Sequence, residues 1–150
     1  MTANAISIRD ARSEDVGAVL ALWRVAYEPS SVRSTQEDIP ALLAHGPATR
    51  LLLAELDGGT AGSLIVTFDG WRGNMYRLAV HPGYQRRSIA RRLVNEAHGW
   101  LQGQGCRRII ARVEGDHDYA TSFWESAGYK HDAGMRCYSK DVEELVTSNR

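Results

Sequence analysis

The sequence predicts an α/β (α+β) domain in which a mixed, mostly antiparallel central sheet is flanked by helices. Three observations predict it. Strand-like and helix-like segments follow the order β-α-α-β-β-β-α-β-α-β-β. The three consecutive strands in the middle are joined by tight turns, which favours an antiparallel meander over a chain of βαβ units. The clearest amphipathic helix, Ser88 to Gln104, follows that meander directly.

Each element has a local reason. Ile6 and Ile8 alternate with polar neighbours, as in a half-buried strand. Ser13 then reads as the N-cap of a helix, with Glu14 and Asp15 suiting the dipole of its first turn. Val16, Val19, Leu20, Trp23 and Tyr27 recur on one face of that helix, and Pro29 lies just past its end. A short helix is predicted from Glu37 to His45. Strands Thr49 to Leu56 and Thr60 to Phe68 are joined by Asp57-Gly58-Gly59, a hairpin signal because Asp and Gly tolerate positive φ. Gly73 to Val80 is the third strand of the meander. Ala90, Leu93, Val94, Ala97 and Leu101 form the buried stripe of the long helix, Trp100 extends it, and Gly103 and Gly105 stop it. Arg107 to Glu114 reads as a strand and Ala120 to Ala127 as a helix capped by Gly128. A final pair of strands is expected from Tyr129 through the segment MRCYSKD, followed by a short helical tail.

At 150 residues the chain is expected to form a single domain, 1–150, with a core of about 5–140 and a tail of 141–150. Eighteen basic and eighteen acidic residues cancel, so nothing global draws the chain to nucleic acid or to an anionic membrane. No apolar run approaches the roughly 20 residues of a membrane span, and the N-terminus lacks a signal-peptide layout; a cytoplasmic location is expected. Cys106 and Cys137 read as plain thiols, and no His, Cys or carboxylate spacing points to a metal.

One stretch is not explained by the fold alone. AVHPGYQRRSIARRLV, Ala79 to Val94, crowds arginines around the first turn of a helix whose dipole disfavours positive charge there. A turn from strand into helix leaves backbone N–H groups unpaired, which suits an anion. Arginines at such a turn pair with phosphate oxygens, and the ligand's charge offsets their encounter with the dipole.

On two segments the chain resembles the GCN5-related N-acetyltransferases (GNAT). QRRSIA, Gln85 to Ala90, resembles the family's pyrophosphate loop, and HDYATSFWESAGY, His117 to Tyr129, resembles its second signature. The resemblance runs from about Ile6 to Tyr138. It implies a GNAT-like fold and acetyl-CoA as the cofactor. The activity implied is transfer of its acetyl group to a primary amine of a small molecule or peptide N-terminus, by direct attack in a ternary complex. It also implies that Gln85, Arg86, Arg87, Ser88, Ile89 and Ala90 hold the pyrophosphate. The pantetheine arm would lie along Leu78, Ala79 and Val80, in contact with His117, Ala120, Phe123 and Trp124. Family members often form dimers, so the resemblance points to a homodimer.

Two residues depart from the family pattern. Ser88 stands where a glycine is usual, and Trp124 stands where many members place a tyrosine general acid; an indole cannot protonate a thiolate. The chemistry still needs an uncharged amine, a donor for the developing oxyanion, assigned to a backbone N–H near Val80, and proton carriers. Glu114, His117 and Tyr119 are the candidate catalytic residues, and Arg33, Trp71 and Tyr76 the candidate acceptor contacts. The alternative is an acyl-CoA-binding regulatory domain with little or no transferase activity, motivated by Ser88 and Trp124. An RNA-binding module built on the arginine cluster is third, and the balanced charge counts against it.

Overall fold

In a computed structural model the described residues are 5–27, 35–114, 118–140 and 142. Five strands form one sheet in sequence order: β1 (Ile6–Asp10), β2 (Thr49–Leu56), β3 (Gly59–Phe68), β4 (Gly73–Val80) and β5 (Ile109–Ala111). The first four pair antiparallel and β5 joins β4 in parallel, giving the mixed, mostly antiparallel sheet that the sequence predicts. Four helices flank it: α1 (Val16–Ala26), α2 (Thr35–Ala44), α3 (Ile89–Gly103) and α4 (Asp118–Ser126).

Both faces of the sheet are covered, and alternate residues of each strand feed two cores. Leu52, Ala54 and Leu56 of β2 pack with Leu93, Val94, Ala97 and Leu101 of α3 and with Ala120 and Trp124 of α4. Leu51 and Leu53 of the same strand pack with Val19, Leu20 and Trp23 of α1 and Ile39 of α2. Asp57 (φ 53°) and Gly58 (φ 79°) make the two-residue turn that closes β2 onto β3, with Leu56 opposite Gly59.

Helix ends follow sequence chemistry, with adjustments. Ser13 opens a 3₁₀ turn, Ser13–Asp15, instead of capping α1, and the Asp15 carboxylate accepts the Arg12 backbone N–H at 2.7 Å. At the end of α4, Gly128 (φ 91°) donates to Glu125 O and Tyr129 N–H reaches back to Trp124 O, a Schellman closure. The expected pair of strands from Tyr129 onward is absent from the described residues. That segment carries no ladder, and Met135 and Tyr138 are exposed. β5 is likewise shorter than expected, three residues in place of Arg107 to Glu114, because among the described residues it forms a ladder with the first part of β4 alone.

The irregularity that shapes the site lies in β4. Tyr76 is opposite Ile65 and Ala79 is opposite Ser63, so Arg77 and Leu78 together face Leu64: a β-bulge, with Arg77 at φ 53°. The extra residue keeps Leu78 and Val80 in the α3/α4 core with Met75, while Ala79 joins the α1/α2 core. A buried relay secures the bulge: Trp23 Nε1 donates to Ser63 Oγ at 2.9 Å, and that hydroxyl donates to Arg77 O at 3.1 Å. Opposite Val80 stands Gly62, where a Cβ would come within 2.7 Å of Ile89 Cγ2. The missing side chain lets the first turn of α3 press onto the sheet beside the end of β4.

Candidate functional site

The β4–β5 ladder has three pairs, Gly73–Ile109, Asn74–Ile110 and Met75–Ala111, and ends with Arg112 N–H donating to Met75 O at 2.9 Å. Beyond it the two strands part. Along the freed edge, His81 N–H goes to Ala61 O on β3, so by alternation the Val80 N–H points away from β3 into the gap. Leu78 O points the same way and accepts the Tyr27 hydroxyl at 2.5 Å.

Two depressions lie at the opening, both bordered by Leu78. One is lined by Ala26, Ala79, Val80, Pro82, Gln85 and Tyr119, with Val25 at its edge. The other is lined by Tyr27, Arg112, Val113, Glu114, Ala120 and Trp124. The structure therefore places Leu78, Ala79, Val80, Gln85 and Tyr119 around one depression, and Leu78, Glu114, Ala120 and Trp124 around the other. Phe123 is half-buried, edge-on to Trp124, and packs against the core.

At the Gln85 end the chain turns into α3. Arg86 (φ 69°) and Ser88 (φ 64°) both adopt the left-handed conformation, which favours glycine over residues with a Cβ. Arg86, Arg87 and Ser88 are exposed, and the Arg87 guanidinium lies 5.7 Å from the Tyr84 ring centroid. Ser88 occupies the N-cap position but makes no side-chain cap. Ile89 and Ala90 are buried, so only their backbones can serve a ligand here; the N–H groups of the first turn have no acceptor within the helix.

Arg77 of β4 contacts two residues that line the second depression, Tyr27 and Glu114. Its guanidinium lies 4.8 Å from the Tyr27 ring centroid and 5.2 Å from that of Trp23, and Nη2 is 3.4 Å from Glu114 Oε1. Glu114 is thus held beside the gap by a cation from β4. Burial pushes the Tyr27 hydroxyl up to about 12, with the Arg77 charge opposing, and burial raises Tyr119 as well.

The remaining sequence candidates separate. Tyr76 precedes the bulge, with the Arg112 guanidinium 5.7 Å from its ring centroid. Trp71 sits in the β3–β4 turn, which Asp69 closes by accepting the Trp71 and Arg72 N–H groups, and Arg72 stacks on its ring at 3.9 Å. That turn is at the far end of β4, more than about 20 Å from Val80 at strand rise. Trp71, an expected acceptor contact, therefore lies away from the two depressions. His117 and Arg33 lie outside the described residues. Sequence reading missed Tyr27, taken as a core position of its helix, and Arg77. A charged residue interrupting the alternation of NMYRLAV was the available sign of a bulge.

Residues 16–129 match the model of the acetyltransferase (GNAT) family. The chain belongs to that family. Solved structures with the same fold include the aminoglycoside N-acetyltransferase AAC(6')-Iy in complex with CoA (15% identity, 93% of this chain and 97% of that one, TM-score 0.76). The PaiA N-acetyltransferase of Thermoplasma acidophilum in complex with coenzyme A is similar as well (18% identity, 85% and 91%, TM-score 0.76). So is glucosamine-6-phosphate N-acetyltransferase from Arabidopsis thaliana (14% identity, 91% and 99%, TM-score 0.72). At these identities the likeness is one of fold.

Proposed function

We propose that the chain is an N-acetyltransferase that moves the acetyl group of acetyl-CoA to a primary amine of a small molecule or a peptide N-terminus, by direct attack in a ternary complex. The observation that carries this reading is the gap beyond Met75. One of its edges carries the Leu78 carbonyl, which accepts the Tyr27 hydroxyl, and the Val80 N–H, and one of its ends is the arginine-bearing first turn of α3.

These residues fit the cofactor's parts. Arg86, Arg87 and the first N–H groups of α3 are suited to a pyrophosphate. The open edge of β4 offers alternating donors and acceptors to an amide-bearing arm, as one strand does to another. Acetyl-CoA supplies an activated acyl group as a thioester. In this reading Val80 N–H holds the acyl oxygen, and Gln85 and Tyr119 border the arm. Glu114, with His117 in the adjoining segment, takes the proton that the attacking amine releases, directly or through water. Tyr76 and Arg33 stay assigned to the acceptor side. Proximity in the gap supplies much of the acceleration.

Calorimetric titration with acetyl-CoA and with CoA tests this reading, followed by a screen of aminoglycoside, polyamine and peptide acceptors. The expected result is one saturable site per chain and thiol release that depends on an acceptor. Absence of binding would end the reading; binding without turnover with any amine would favour the regulatory domain that Ser88 and Trp124 suggest.

A further inference from the structure

Resting on the acetyl-transfer reading, we propose that Tyr27 is the catalytic acid of this chain, the side chain that gives its hydroxyl proton to the departing sulfur. A thiol with the ordinary basicity of about 8.5 leaves as a thiolate that takes up a proton at neutral pH, and the indole of Trp124 cannot supply one. Among the described residues lining the two depressions, the hydroxyl groups belong to Tyr27 and Tyr119.

Their places differ. Tyr119 shares its depression with Leu78, Ala79, Val80, Pro82 and Gln85, on the side of the arginine turn. Tyr27 shares the other with Glu114, Ala120 and Trp124, where β5 leaves the sheet. Its hydroxyl already reaches the open edge of β4, bonded to Leu78 O at 2.5 Å. Two residues further along that edge is the Val80 N–H assigned to the acyl oxygen, which puts the phenol beside the thioester position. Arg77, 4.8 Å from the Tyr27 ring centroid and ion-paired with Glu114, supplies the positive charge that a transient phenolate needs. Burial keeps the phenol protonated at neutral pH, so the donor is loaded before the reaction begins.

The step balances as follows. The amine nitrogen forms a bond to the acetyl carbon, and the carbon–sulfur bond breaks with its electron pair left on sulfur. The Tyr27 hydroxyl exchanges its hydrogen bond to Leu78 O for one to sulfur and passes its proton there. The proton shed by the nitrogen goes to Glu114 and returns through water to the Tyr27 oxygen. The products are the amide and the free thiol.

The test compares the unmodified full chain with Tyr27→Phe, following thiol release from acetyl-CoA with kanamycin, spermidine and a peptide bearing a free N-terminus. With the acceptor that turns over, Tyr27→Phe is expected to lower kcat about 100-fold, the low end for general acid–base catalysis. CoA affinity by calorimetry and the melting temperature should stay near their original values. Replacing Tyr27 with 3,5-difluorotyrosine, a more acidic phenol of almost the same shape, is expected to bring an alkaline fall in kcat into measurable range. It also covers the case in which the phenylalanine variant folds poorly.

An active chain whose Tyr27→Phe variant keeps kcat would overturn the proposal. So would a loss of that size in Tyr119→Phe with Tyr27→Phe unaffected, or a difluorotyrosine enzyme with an unaltered pH profile. CoA binding without turnover in the unmodified chain would overturn acetyl transfer and this proposal together. Retained kcat in Tyr27→Phe sinks this one alone.

Discussion

Arginine is used in two ways in this molecule, and the two uses sit at different ends of the fold. At the β1–β2 end, Arg9 Nη1 and Nη2 each lie 2.8 Å from a carboxylate oxygen of Asp15, and Nε pairs with Glu55. Arg50 reaches Asp10 at 2.8 Å and Glu96 of α3 at 3.7 Å, tying the sheet to the long helix. Before and within the first turn of α3, Arg86, Arg87, Arg91 and Arg92 are exposed and make no ion pair among the described residues. A zero net charge hides this division. The first group is neutralised within the fold, and the second faces solvent at the start of α3.

The largest expected effect comes from breaking the internal group. Arg9→Met leaves Asp15 and Glu55 without their shared cation. It should cost about 2–3 kcal/mol in urea unfolding, below the cost of a fully buried pair because these side chains are partly wet, while CoA affinity stays unchanged. The same contact sets an acid response. Hydrogen bonds from Arg9, and then from the Arg12 N–H, hold the Asp15 carboxyl at about 2 against an ordinary 3.8. A depressed carboxyl stabilises the fold fully above its unfolded value and stops doing so as pH falls through the folded one. Stability should therefore fall between about pH 4 and pH 2. An acid-unfolding curve for Arg9→Met that coincides with that of the unmodified chain would remove Arg9 as the cause.

The external group should respond in binding instead. Arg86→Ala with Arg87→Ala is expected to weaken CoA by about 10- to 30-fold in calorimetry, roughly 1.4–2 kcal/mol, with little change in melting temperature. Added salt should narrow the difference, because exposed charges are screened within about 8–10 Å. A fall in stability without a change in affinity would reverse the comparison. The smallest effect is at Ser88. Glycine accepts φ 64° without the left-handed penalty of roughly 1–2 kcal/mol, but costs more backbone entropy, so Ser88→Gly should stabilise by about 0.5–1 kcal/mol. The same variant should also tighten CoA, since a backbone without a Cβ lets a phosphate approach more closely.

Legibility in the sequence followed how local the cause was. The hairpin at Asp57-Gly58-Gly59, one residue tighter than read because Gly59 joins β3, the stripe of α3 and the Gly128 closure of α4 depend on neighbours in the chain, and the structure has them at those positions. The strands expected from Tyr129 had suitable residues but depended on a distant ladder, which the described segment lacks. The arginine turn could be read because N–H groups and charge lie together in sequence. Tyr27 and Glu114 share a depression although 87 positions separate them, and nothing local in a helix face distinguishes a phenol that packs from one that reaches a strand edge. Arg77 was visible as a disturbance in the strand pattern, but its left-handed backbone is imposed by Ser63 and Trp23 from other elements.

The bulge at Arg77 also makes the site depend on the path of the backbone as well as on its residues. It lets two residues of β4 face one of β3, so the parity of the positions facing each core changes along β4 while its faces stay in step with β3. A regular strand over the same residues would set Leu78 opposite Ser63 and Val80 opposite Ala61, carrying both side chains to the α1/α2 side and turning the Val80 N–H toward β3. The donor that faces the gap is thus specified by the bulge, and straightening it would turn that donor away while removing none of the side chains that line the opening.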